Sequence, residues 1–164
     1  MQLDLRVVMR RWVSGVAIVT TIYEGQKHGM TLDSFTSVSL TPPMVTFTLA
    51  NTTRTHAMVV KSTVVGITLL HQGQQDLSEW FAGRSGDVDR FSGVTTFMLK
   101  TGVPLISGGM AYIEGRVVHK FDMSASTLFI AEVISMAKEE DMEPLVYFNR
   151  AYHRLENEHK SIDE

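Results

Sequence analysis

The stretch His28-Gly-Met-Thr-Leu-Asp-Ser-Phe-Thr-Ser-Val-Ser-Leu-Thr-Pro-Pro43 sets the hydroxyls of Thr31, Ser34, Thr36, Ser37 and Ser39 and the carboxylate of Asp33 between two hydrophobic segments. Such a segment makes a poor core. Short hydroxyl side chains and uncrowded backbone N–H groups can instead hold a phosphate or the polar rim of a heterocycle. The residues alone leave a second reading open, a Ser/Thr-rich edge strand running into a Pro-Pro loop.

Outward from this stretch, β-branched residues fill 15–23, and Glu24-Gly25-Gln26-Lys27 is turn-like. A hairpin returning through 28–35 follows. Residues 44–50, 64–70, 110–120, 126–138 and 145–150 read as further strands. Leu5, Val8, Met9, Trp12 and Val13 fall at helical spacing, so the first fourteen or so residues predict an amphipathic helix that caps a barrel end and stops near Ser14-Gly15. A short helix is expected over 55–62 with Thr55 as its N-cap, following the polar loop 51–54. Its N-terminus is a ready anion site. Gln74, Leu77, Trp80 and Phe81 predict another helix ending at Gly83, then a polar loop over 84–93. Six or seven strands without a strand–helix–strand repeat point to an antiparallel barrel.

The 164 residues suit one domain, expected over 1–155, with a solvated polar tail over 156–164. Net charge is −3 and no Lys/Arg stripe is present, which argues against nucleic acid or an anionic membrane as partner. Cysteine is absent, removing disulfides, thiolate nucleophiles and sulfur-ligated metals. No apolar run approaches a membrane span or a signal peptide, so the expected location is the cytoplasm. Motifs for a Rossmann phosphate loop, a P-loop, a hydrolase elbow and a zincin are all missing. The six histidines are dispersed, and no metal site is expected.

In order and spacing the chain resembles the short-chain flavin reductases of the FMN-binding split-barrel type, which supply reduced flavin to two-component monooxygenases. The resemblance rests on Arg10-Arg-Trp-Val-Ser-Gly-Val-Ala-Ile-Val-Thr-Thr21, on 29–43, on Trp80-Phe-Ala-Gly83 with Asp89-Arg-Phe-Ser-Gly93, on Leu128-Phe-Ile-Ala-Glu-Val133, and on Pro144-Leu-Val-Tyr-Phe148 leading to Tyr152-His-Arg-Leu155. It implies a mainly β, antiparallel Greek-key split barrel with short flanking helices, pairing as a homodimer.

The resemblance further implies FMN or FAD as flavin, NADH or NADPH as co-substrate, and a separate oxygenase receiving the product. Hydride would pass between the two cofactors, so no catalytic side chain is expected. Met30, Thr31, Leu32, Asp33 and Ser34, with Ser37, would line the ring edge and ribityl chain. Ala50, Asn51, Arg54 and Thr55 would meet the phosphate, and Phe81, Ala82 and Gly83 would approach from the side. Phe81 is also at home in a core, and Arg54 in solvent. Many relatives carry a histidine just before the Thr-Leu-Phe-Ile strand, where this chain has Ser126. Ser126, Tyr152 and His153 are thus the candidates for the nicotinamide. The substitution motivates a second reading, a protein that retains its flavin as an electron carrier.

Overall fold

A computed structural model describes residues 4–83, 86, 88–139 and 142–155. The tail at 156–164 and part of the loop 84–93 lie outside the described residues. The helices are α1 (Leu5–Met9), α2 (Arg54–Ser62) and α3 (Gln75–Phe81). The strands are β1 (Ser14–Gly15), β2 (Ala17–Tyr23), β3 (Gln26–Leu32), β4 (Thr36–Leu40), β5 (Pro43–Ala50), β6 (Val64–Leu69), β7 (Thr96–Phe97), β8 (Leu105–Ile106), β9 (Ala111–Asp122), β10 (Ser126–Lys138), β11 (Val146–Phe148) and β12 (Ala151–His153).

Seven strands form one antiparallel sheet in the order β3-β2-β6-β9-β10-β5-β4. Glu24 and Gly25, both at positive φ, close the two-residue β2–β3 hairpin, and such turns match the right-handed twist of the strands they join. The chain crosses the sheet from the edge strand β3 to the opposite edge β4, and again from β5 through α2 to β6. Leu32 of β3 meets Val45, Phe47 and Leu49 of β5 in one core cluster although four strands separate β3 from β5 in the order. The sheet is therefore curled into a split barrel of the expected Greek-key type, with β3 and β4 as its unpaired edges.

Alternation along β2 builds two cores from one strand. Ala17 and Val19 join the barrel interior, where Phe47 and Phe129 stack with ring centroids 5.4 Å apart. Ile18 turns to a second cluster with Leu70, Phe81, Ile106 and Leu145. Each such large side chain contributes about 1.5–3 kcal/mol by leaving water.

Three local expectations need correction. The N-terminal helix covers only Leu5–Met9 and buries none of its residues, so it caps no barrel end; Ser14–Gly15 pairs instead with β11. The N-cap of α2 is Thr53, whose hydroxyl accepts the His56 N–H, and Thr55 sits inside the first turn. The strand expected over 145–150 is a hairpin, β11 and β12 turning at Asn149 and Arg150.

Glu114 is fully buried on β9, and its carboxylate accepts the backbone N–H groups of Leu99 (2.8 Å), Lys100 (2.7 Å) and Thr101 (2.8 Å). Three charge-assisted bonds offset the desolvation of that carboxylate and tie the 99–101 segment to the sheet. Glu114→Gln keeps the shape but turns an acceptor into a donor facing N–H groups. We expect it to lower unfolding free energy by at least about 2 kcal/mol in urea titration; an unchanged midpoint would show that the clamp is dispensable.

Candidate functional site

As an edge strand, β3 pairs with β2 on one side only, so alternate backbone groups on its other side are free of the sheet ladder. A trough of four adjoining cavities follows that edge. The first, about 600 Å3, is lined by Lys27, His28, Arg54 and Arg90. The second, about 310 Å3, adds Met30, Thr53, Thr55 and Ala82. Ala82 continues into the third, about 200 Å3, with Thr31, Leu32, Asp33 and Tyr152. Asp33 and Tyr147 lead to the fourth, about 460 Å3, which Ser34 also lines.

Eight of the thirteen residues expected to bind flavin line this trough: Met30, Thr31, Leu32, Asp33, Ser34, Arg54, Thr55 and Ala82. The others are placed differently. Phe81 is fully buried and packs edge-on against Phe91 at 5.5 Å, so its side chain is core and no cofactor wall. Gly83, at φ +80, sits against the Arg90 guanidinium and lines none of these cavities. Ser37 lies on the edge strand β4, so the edge-strand reading holds for Thr36–Leu40. Ala50 pairs with Ser126. Asn51 donates its side-chain amide to the Met123 carbonyl (3.1 Å) and its backbone N–H to that of Ala125 (3.0 Å), bracing the β9–β10 turn.

Several hydroxyls singled out in the sequence serve the protein itself. Thr31 donates to the Ser78 carbonyl at 2.6 Å, which ties β3 to α3. The Ser34 hydroxyl exchanges two bonds with the backbone of Thr48, donating at 3.2 Å and accepting at 3.0 Å. A hydroxyl has one proton, so neither side chain has a donor left for a ligand. What the trough offers is the backbone edge of β3 and the N-terminus of α2. There Thr53 caps the His56 N–H, and Arg54 and Thr55 of the first turn line the adjoining cavity. The Arg54 guanidinium is held by the Gln26 side chain at 2.9 Å.

Arg90 lines two of these cavities and was not among the residues expected to bind flavin. Its guanidinium donates to the carbonyls of Gly29 (2.9 Å) and Phe81 (3.1 Å), while the Trp80 indole N–H donates to the Arg90 carbonyl (2.9 Å). One side chain thus fixes the edge of β3 to the end of α3. Its place in Asp89-Arg-Phe-Ser-Gly93, just past a polar loop, was the signal available.

Of the nicotinamide candidates only Tyr152 reaches the trough, sharing a hydrogen bond with Ser78 at 2.8 Å. His153 packs on Phe148 and bonds its carbonyl. Ser126, opposite Ala50, lines none of the four cavities. Among the described residues no group of three or more His, Asp or Glu could hold a metal ion, and no helix is long and apolar enough to cross a membrane.

The flavin reductase like domain matches residues 9–156. The chain belongs to this family. It is 33% identical over 157 residues to an NADH-dependent flavin reductase of a Rhodococcus species, covering 94% of this chain and 86% of the relative. It is 34% identical over 145 residues to the NADH-dependent flavin reductase StyB of Pseudomonas fluorescens, covering 87% and 83%. The solved styrene monooxygenase flavin reductase of Pseudomonas putida S12 superposes with a TM-score of 0.82 at 32% identity, covering 92% of this chain and 96% of that one.

Arg90→Ala leaves the carbonyls of Gly29 and Phe81, which flank the trough, without their donor. We expect this family member to lose about 1–3 kcal/mol of stability with that change and to bind FMN several-fold more weakly in fluorescence titration. Unchanged affinity would free the Arg90 bridge of any part in shaping the trough.

Proposed function

We propose that the trough along β3 holds FMN or FAD, with the phosphate at the start of α2 and the ring edge beside 31–33, and that the protein reduces this flavin with NADH. The observation that carries the reading is the juxtaposition of an unpaired strand edge with a capped helix N-terminus. The first supplies N–H and C=O groups for a planar polar ring rim; the second supplies first-turn N–H groups, the helix dipole and Arg54 for a phosphate. These donors fit an anionic, edge-polar ligand.

When bound, the flavin supplies the hydride acceptor, and the reaction asks little of side chains. The chain's part is to position both molecules and exclude competing contacts. Backbone N–H groups along 31–33 that are free of the ladder would hold the ring edge and would favour the charge a flavin gains on reduction. Tyr152, steadied by Ser78, stands beside that edge. No side chain here must gain or lose a proton.

The family relation extends the reading to a separate oxygenase that takes up the reduced flavin. We also read the protein as a cytoplasmic homodimer. Exposed Leu5, Val7 and Val8 on α1 form an apolar surface of the kind that a second subunit covers.

The deciding experiment mixes the protein with FMN or FAD and NADH, following NADH absorbance in air and flavin bleaching without oxygen. Catalytic NADH oxidation with flavin leaving the protein supports the reductase; tightly held flavin that NADH cannot reduce would replace it with the carrier reading. Asp33 is exposed, so Asp33→Phe should leave Tm in place and weaken flavin binding roughly tenfold, about 1.4 kcal/mol; normal affinity would move the ring edge elsewhere.

A further inference from the structure

The far end of the trough, beyond Asp33, is lined by three arginines, Arg6, Arg10 and Arg150, together with Trp12 and Tyr147. The flavin reading uses none of the three. We propose that this cavity is a phosphate-binding site for the reduced nicotinamide dinucleotide, in which Arg10 and Arg150 hold the pyrophosphate while the nicotinamide end reaches the neighbouring cavity at Thr31 and Asp33. This rests on the flavin reductase reading and adds the anchoring residues for its second substrate.

Continuity is the first support. Asp33 and Tyr147 line both this cavity and the one assigned to the flavin ring edge, so a ligand in one reaches the other without crossing the protein.

The second support is an orphaned donor. The Nε of Arg10 is buried with no hydrogen-bond partner, the one such side-chain atom among the described residues. Leaving a buried donor unmet costs about 1–3 kcal/mol, more for a charged group, and a bound anion removes that cost.

Backbone strain points the same way. Asn149 (φ 50) and Arg150 (φ 65) form the two-residue turn between β11 and β12, with both residues left-handed. Glycine is the unstrained choice at the second position of such a turn, and the sister turn at Glu24 and Gly25 has it. Here an arginine occupies that position, at a cost of order 1 kcal/mol, and lines the cavity.

Charge completes the case. Arg6 is already paired with Asp4 at 2.6 Å. That carboxyl is held below the usual carboxylate range chiefly by the Arg6 hydrogen bonds, and further by the charges of Arg10 and Arg150, so the three cations surround one region. Asp33 is the one carboxylate among the residues lining this cavity with Arg10 and Arg150, so its lining carries positive charge in excess. The Lys27, Arg54 and Arg90 group lies at the opposite end of the trough, next to α2. The two anionic substrates thus have separate basic ends and a shared middle.

The test uses full-length Arg10→Gln and Arg150→Gly proteins. Each should raise the KM for NADH about tenfold and weaken inorganic pyrophosphate as an inhibitor competitive with NADH, while flavin affinity stays within about twofold. Arg150→Gly should also keep or raise Tm, because it relieves the turn, so lost NADH affinity is then separated from lost structure. An unchanged NADH KM would overturn the proposal, as would flavin affinity falling in step with it. So would a change confined to sedimentation behaviour, which would make this cavity a contact with a second copy through the neighbouring apolar face of α1. A wild-type protein that oxidises no NADH would overturn the reductase reading and this inference together; normal wild-type turnover with unaffected variants would overturn this inference alone.

Discussion

A sheet that curls without closing must leave two edges, and the hydrogen-bonding groups on those edges must be met by something other than a strand. At β4 the edge runs into Thr41 and the two prolines, the second of which begins β5. At β3 the edge is met by Arg90, whose guanidinium takes the Gly29 carbonyl, and by α3, held through Thr31 and Ser78. What remains unmet along β3 is the trough. In the proposed reading, the flavin site is the part of the edge that the protein does not satisfy for itself.

This constraint explains how polar residues are divided. Thr31, Ser34 and Asn51 sit where a ligand could use them, yet their side chains hold α3, β5 and the β9–β10 turn in register. In the proposed reading these side chains place backbone and do not touch ligand. The same logic runs through Glu114, which uses its full charge on three N–H groups of its own chain, and through Thr127, whose hydroxyl lies 2.9 Å from both His56 Nε2 and Asn51 Oδ1. Arg10 and Arg150 contrast with these: the first has an unmet buried nitrogen, and the second sits on a strained turn.

Much of the fold was legible along the chain. The β-branched run at 15–23, the Glu24-Gly25 turn and the strand patterns at 44–50 and 126–138 depend on near neighbours, so the strands Ala17–Tyr23, Pro43–Ala50 and Ser126–Lys138 fall within about two residues of where the pattern put them. Where local signals compete, boundaries moved. Thr53 and Thr55 are equal as caps on composition, and only the chain's exit from β5 decides for Thr53. The apolar spacing at Leu5 to Val13 reads as one helix, but Ser14–Gly15 is drawn into pairing with β11, more than a hundred residues away.

The sequence by itself determined that this is a cysteine-free, mainly β chain with a hydroxyl-rich strand edge, a short capped helix after β5, and the ordered motifs of its family, because these follow from periodicity, propensity and spacing over a few residues. Only the tertiary structure decided that Phe81 is core, that Thr31 and Ser34 give their protons to the protein, and that Arg6, Arg10 and Arg150 meet around one cavity from opposite ends of the chain. The physical reason is that a hydrogen bond or a burial is settled by whichever group arrives across the fold. A hydroxyl with one proton does not announce in the sequence which acceptor will claim it.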